Sequence, residues 1–410
     1  MFDYHKSMNE EQNKVFHMIT NTNNSACICG PGGVGKSYLV DNIVEYMISK
    51  KRHIGVVATT GTAAINIKGT TLHSFFNLTP FVTDYEKHAN IIKYKRKDTV
   101  DKLKNLQTLI IDEVSMLDDV LCSGISVILS IVRNDPSPFG GVQMVFVGDF
   151  FQLPPVQNNY CFKSLHWQLL EPVMCELKTI VRQMGDTAFI KILQKIRVGK
   201  HTKKTIHKLM PLLDTEFPEH IQPTKLYSTN VDVDSINNRE MEKLKVDGRE
   251  CKTYVAKYTN AKNVNINLDV TLCEGAQVMV TKNVDICKRL VNGTRGTVVK
   301  VSKNVVTIRT VNDDIEDIEF FTEVLDQEKN VKATFMPLRL AYALTIHKSQ
   351  GATLDCMEIC LDNKVFTYGQ AYTGLSRAKS MNSIKITALN MSAFKTSPVV
   401  LEYMDSVTKL

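Results

Sequence analysis

Short apolar runs alternate with longer stretches of helical spacing through the first half of the chain. Ser25–Cys29, Ile54–Thr59, Leu109–Asp112 and Val142–Val147 predict buried strands, and Lys36 to about Lys50 predicts a helix. Buried strands that alternate with helices imply a parallel α/β sheet covered on both faces. The pattern breaks between Thr79 and Lys104, where Lys87, Lys93, Lys95, Arg96, Lys97, Lys102 and Lys104 crowd around Tyr85, His88 and Tyr94. That stretch predicts an insertion into the sheet. A second α/β pattern starts near Cys161, with a strand at Lys225–Ser228 and a helix near Val231–Lys245. From Asn292 to Thr334 the signal turns to β-branched runs at Val298–Val301 and Val305–Ile308, with turns at Asn292-Gly293 and Arg295-Gly296. The α/β pattern resumes at Leu338 and runs to about Thr387.

Length and composition add bounds. The 410 residues suit two or three domains. At 43% hydrophobic and 23% charged, the composition is that of an ordinary globular chain. The net charge of +7 is a mild bias toward anionic partners. No apolar run reaches the length of a membrane span, and Met1 to Glu11 has no secretory core. No membrane partner and no targeting segment are expected. The 10 cysteines show no CxxC pair or other metal-ligand spacing. They predict buried free thiols in a reducing, intracellular compartment.

The chemistry lies at the ends of the predicted strands. Gly30-Pro31-Gly32-Gly33-Val34-Gly35-Lys36-Ser37 follows a strand, opens a helix and fits the P-loop pattern in full. Its backbone N–H groups and the helix N-terminus would cradle ATP phosphates. Lys36 would neutralise the β- and γ-phosphates, and Ser37 would hold Mg²⁺. Asp112-Glu113 closes the next strand, with Asp112 as a second Mg²⁺ ligand and Glu113 activating the attacking water. Gly148-Asp149-Phe150-Phe151-Gln152-Leu153-Pro154-Pro155 closes a third, where Gln152 would sense the γ-phosphate.

Together these motifs resemble the superfamily 1B helicases, and within them the Pif-type (petite integration frequency) DNA helicases. Pro138-Phe-Gly-Gly141 followed by Gly148–Pro155 is the most specific match. The resemblance implies that Gln12, in Asn9-Glu-Glu-Gln12, reads adenine. It implies single-strand contacts at Thr60 and Gly61 in Thr59–Ala64, and at His73 and Phe75 in Thr71–Phe75. In the second half, Glu176–Gln183 resembles the motif that carries an arginine finger, here Arg182. Ser228-Thr-Asn230 with Asn237 resembles a further DNA-contact segment. Ala341–Gly351 and Tyr372–Ala378 match the last two motifs. They place Thr345 and His347 on DNA, Gln350 and Gly351 at ATP, and Arg377 as a second finger.

The resemblance implies an α/β architecture of two RecA-like P-loop domains. Residues 1–78 and 105–160 would form the first domain, with a small wedge at 79–104. Residues 161–291 and 335–410 would form the second, with an SH3-like insertion at 292–334. The expected function is an ATP- and Mg²⁺-dependent DNA helicase, a monomeric motor. It would move 5′ to 3′ on single-stranded DNA and unwind forked or structured DNA. The alternative is a nucleotide-switched, strand-binding remodelling ATPase that does not separate strands. A RecD-like subunit of a nuclease complex is disfavoured by the Pro138–Gly141 signature.

Overall fold

The computed structural model describes residues 8–60, 63–64, 67–78, 82–156, 159–181, 183, 185–217, 223–227, 230–259, 268–282, 284–285, 288, 290, 294–310, 313–326, 331–347 and 349–410, without the side chains of 230–232, 324–326 and 331. Arg182 and Gly61 fall outside these residues, as do Asn292-Gly293 and the side chain of Asn230.

The apolar runs of the first half form a parallel sheet. Its strands are β1 (Ala26–Cys29), β2 (Ile54–Ala58), β3 (Thr70–Thr71), β4 (Thr108–Asp112), β5 (Gln143–Gly148) and β6 (Val173–Glu176), in the spatial order β3-β2-β4-β5-β1-β6. β1, β4 and β5 are almost wholly buried, which is why they read as unbroken apolar runs. One face packs on helices Glu10–Asn21 and Lys36–Ser49 through Val15, Phe16, Leu39 and Ile43. The other packs on helix Asp119–Arg133 through Ile125, Ile128 and Leu129.

Two boundaries move. Residues 161–176 were expected in the second domain, yet β6 pairs in parallel with β1, Ala26 opposite Val173 and Cys29 opposite Glu176. The C-terminal helix Pro398–Ser406 also returns to the first core. Tyr403 stacks on Phe162 at 4.0 Å between centroids and accepts a hydrogen bond from Trp167 Nε1 at 3.0 Å. Neither crossing has a sequence signal, because both depend on contacts far apart along the chain.

The lysine-rich insertion folds as helices Tyr85–Lys95 and Lys97–Asn105. It shares the first core through Ala89, Ile92, Val100 and Leu103. Tyr85 lies flat against Gly124, where any Cβ would come within 2.3 Å of its ring. Lys93 Nζ donates to Ile131 O and to Asn134 Oδ1 at 2.6 Å. Tyr94 stays 80% exposed.

A second parallel sheet runs in the order Ala343–Thr345, Thr224–Tyr227, Met357–Leu361, Ile384–Leu389. Between its strands lies a β region wider than 292–334. Its five-stranded antiparallel sheet also takes in Gln277–Val280, before residue 292, and Leu338–Leu340, after residue 334, which pair with one another at one edge. Arg295-Gly296 is no turn. It opens the strand Arg295–Val301, with Arg295 buried and donating to Gln277 Oε1 and Cys356 O. Cys251 and Cys273 oppose one another on antiparallel strands and are joined by a disulfide, against the expectation of free thiols. The other described cysteines are free, and Cys27, Cys29, Cys122, Cys161 and Cys175 are buried. Among the described residues no helix is long and apolar enough to cross a membrane.

Candidate active site

In the first sheet β5 lies between β1 and β4. The loops that follow these strands therefore stand side by side at one end of the sheet, within about 10 Å of one another. The P-loop leaves β1, Asp112-Glu113 ends β4, and Gly148–Gln152 leaves β5. Gly33 and Gly35 hold φ of +86° and +81°, which only glycine adopts without strain, and Gly35 sits at the N-cap of helix Lys36–Ser49. Val34 is buried in the core and pins the loop down.

Lys36 Nζ folds back onto the loop, donating to Gly30 O at 2.8 Å and Pro31 O at 3.0 Å. Burial lowers its pKa, opposed by the carboxylates of Asp149, Glu113 and Asp112. Ser37 is exposed at the mouth of the loop. Gln12 closes a capping box with Asn9 and donates from Nε2 to Val34 O and Gly35 O at 3.3 and 3.4 Å. The residue expected to read adenine is thus seated on the P-loop backbone itself.

Asp112 and Glu113 compete for the same poorly solvated space. Burial, then the neighbouring Glu113, push Asp112 up to about 7. One Asp112 oxygen accepts the Glu113 N–H at 2.8 Å. Burial also raises Glu113, against the pull of Arg377, Lys36 and Gln350. Glu113 has φ of +54°, so its peptide turns the side chain out of the strand direction.

The second sheet closes this site. Gln350 Nε2 donates to Glu113 Oε2 at 2.8 Å and lies 3.4 Å from Gln152 Oε1. Tyr372 accepts the Gly32 N–H at 3.1 Å and donates to Asp149 Oδ2 at 3.1 Å. Arg377 is buried, held by Thr373 O and Ser376 Oγ, and its guanidinium lies beside the Cα of Gly32. Gly369 packs against the backbone oxygens of Phe151 and Gln152, where a Cβ would come within 2.4 Å of both.

The sequence reading missed the centre of this junction. Arg197 grips the fully buried Asp149 through Nε and Nη2 at 2.9–3.1 Å and covers the Phe151 ring. In sequence Arg197 is one more base in the last turn of an amphipathic helix. Asp149 follows the apolar β5 run in the Gly148–Pro155 motif, and a carboxylate directly after a buried strand calls for a partner.

The expected strand contacts divide. Thr60 follows β2 and His73 follows β3; Thr345 ends the outermost strand of the second sheet, and His347 comes just after it. Each set therefore sits at the carboxyl end of its sheet's outer strands. Thr345 is buried, and burial lowers the pKa of half-buried His347. Two expected contacts are spent elsewhere. Phe75 is only 8% exposed and packs over Gly55 with Lys102 Nζ 3.7 Å above its ring. Asn237 exchanges two 3.0 Å hydrogen bonds with the backbone of Ala343, continuing the second sheet past its edge. Gly351 has φ of +80° in the turn after Gln350.

A P-loop roofed by polar groups from a second parallel sheet defines a two-domain P-loop fold. Pif1 helicase from Candida albicans is 31% identical, covers 98% of this chain and 99% of its own, and superposes with a TM-score of 0.80. Bacteroides Pif1 with ADP-AlF4 is 29% identical over 97% of this chain and 96% of its own, with a TM-score of 0.82. Its single-strand-bound form matches over the same shares at 0.68. The Xenopus laevis ATP-dependent DNA helicase PIF1 is 32% identical over 98% of this chain, which spans 65% of that relative's length. The PIF1-like helicase profile matches residues 7–207. The chain belongs to the PIF1-like helicase family.

Proposed function

We propose that this chain is an ATP-driven DNA helicase, a monomeric motor that moves 5′ to 3′ on single-stranded DNA and opens duplex ahead of it. The observation that carries the reading is the set of contacts between the two sheets across the P-loop. Gln350, Tyr372 and Arg377 reach Glu113, Gly32 and the P-loop wall, so a nucleotide bound there would touch both sheets. Its hydrolysis would then alter how they fit together.

The residues suit Mg²⁺ arriving with ATP. Asp112 has one oxygen committed to a backbone N–H, its proton affinity is raised by burial, and Ser37 stands free at the loop mouth. Among the described residues no group of three or more His, Cys, Asp or Glu is placed to hold a metal ion by itself. When bound there, the ion would offset negative charge on the phosphates. Lys36 exchanges its loop carbonyls for phosphate oxygens. Glu113 orients water, and Gln350 releases it when Gln350 turns to the nucleotide. Arg377, already beside Gly32, places a cation at the phosphates, and Arg182 is proposed as the second finger. Thr60, Gly61, His73, Asn230, Thr345 and His347 would hold the strand through its backbone, without sequence preference.

The polarity rests on the resemblance to the 5′-to-3′ group, because one ATP cycle can drive either sense. Two partial duplexes of identical sequence, one with a 5′ tail and one with a 3′ tail, test it. Displacement of the 5′-tailed duplex alone is expected. Displacement of the 3′-tailed duplex alone overturns the direction. ATP-dependent binding without displacement of either makes the chain a strand-binding remodeller instead.

A further inference from the structure

A cavity of about 550 Å³ opens on the outer edge of the first sheet, away from the nucleotide site. Arg52, His53, Lys68 and Lys102 line it, and no described lining residue is a carboxylate. Among the described residues Arg52 and Lys68 form no ion pair within 4 Å, and Lys68 acts electrostatically on Asp41, favouring its charged form. The Thr70 hydroxyl, also on the wall, is buried and has no hydrogen-bond partner among the described residues. Lys68 holds φ of +52°, a conformation that a long side chain rarely adopts. It is kept there because Gly69 is pressed onto β2, where a Cβ would come within 2.3 Å of Val56 O. A strained cation and a second cation with no ion pair among the described residues thus line one hollow. Their shared complement is a group with several acceptor oxygens and negative charge.

The position says which anion. Arg52 precedes β2 and Thr60 follows it, so the cavity and the proposed strand track lie at opposite ends of one strand, roughly 25 Å apart along the chain. Lys102 belongs to the helical insertion beside the sheet. We propose that this cavity is a second nucleic-acid site, which takes a sugar–phosphate unit of duplex DNA ahead of the tracked strand. Val44, Ile48 and Leu106 on its wall suit the sugar, and the cations suit the phosphate. The proposal rests on the helicase reading only for the word "ahead"; duplex binding itself is read without ATP.

The test uses the full chain carrying Arg52→Gln and Lys68→Asn together. Asparagine tolerates the left-handed backbone at position 68, so charge is lost without new strain. Affinity is measured by fluorescence anisotropy from 50 to 200 mM salt for oligo-dT, for a blunt duplex and for a 5′-tailed duplex. The expected result is a loss on the order of five- to ten-fold on both duplex substrates. Their log–log salt slope should fall by about two, one per cation removed. Oligo-dT affinity and single-strand-stimulated ATPase should stay unchanged, and Arg52→Lys should restore most of the loss. Equal weakening on oligo-dT assigns the cations to the single-strand track and overturns the proposal. Unchanged binding to all three substrates overturns it too. Inorganic phosphate that raises the wild-type melting temperature through these residues, while duplex does not compete, assigns the cavity to a free anion and also overturns it. If the wild type displaces no strand but the duplex-selective loss persists, the helicase reading fails and this site stands.

Discussion

The two walls of the cleft are built from the same kind of parallel strand but carry opposite chemistry. The first sheet presents the acids Asp112, Glu113 and Asp149 with one amine, Lys36. The second region answers with donors: Gln350, Tyr372, Arg377 and Arg197. Each wall alone leaves charges buried at a cost. Glu113, raised by burial, and the guanidinium of Arg377, lowered by it, find part of their compensation in one another across the junction. Closing the cleft is therefore an electrostatic event as well as a packing one.

Removing groups from each wall in turn breaks that comparison in different ways. Lys36→Ala takes the only amine from the acidic wall, and ATP turnover should fall by roughly 10³ or more, measured as phosphate release at saturating DNA. Arg377→Ala strips the opposite wall. It should leave nucleotide binding near normal yet cost on the order of 10³ in DNA-stimulated turnover. Full stimulation in this variant would exclude Arg377 as a finger. Arg197→Ala leaves Asp149 buried with its main cation gone, and should destabilise the chain by about 3–5 kcal/mol in denaturant titration. A loss under 1 kcal/mol would mean that the Tyr372 hydroxyl and the Phe151 N–H already satisfy that carboxylate.

The pH dependence sharpens the contrast. Asp112 sits near 3.8 in the unfolded chain and about 7 when folded, so between these values the folded state holds more protons. Its contribution to stability must fall as pH rises across that window. Asp112→Asn should therefore melt higher than wild type at pH 8, and the gap should close near pH 4. A gap that widened on acidification would show that the acid is stabilised as an anion. The smallest effect is expected at Asn9→Ala, which removes the helix cap and loosens Gln12 from the P-loop. It should cost about 1 kcal/mol, read from the melting temperature without nucleotide.

How much of this was legible depended on where each contact is made. The P-loop and the ends of β4 and β5 are local: strand, turn and helix follow one another within a few residues, and the chemistry follows from the turn. The arginine at 197 and the tyrosine at 372 act on Asp149 from sites distant in sequence, and no spacing rule connects them. Asn237 shows the converse. Its place in a motif suggested a ligand contact, whereas its amide is consumed by the backbone of Ala343. Phe75 sits in a motif that resembles a strand contact, and its ring packs over Gly55 beneath Lys102. The β region was found by its valines, but its edges were misplaced because Gln277–Val280 and Leu338–Leu340 look like any short apolar strand.

The C-terminal helix gives the second sheet an unusual attachment. The chain leaves the first core after Ile180 and comes back to it at Ser397–Ser406, where Tyr403 stacks on Phe162. The second sheet is thus a closed excursion, anchored by two covalent leashes rather than one. A body held by a single leash can swivel freely; a body held by two, spaced apart, pivots about the line that joins them. Any opening of this cleft would then be a rotation about the line joining the two attachments, with the stacked Phe162–Tyr403 pair at one end of that line.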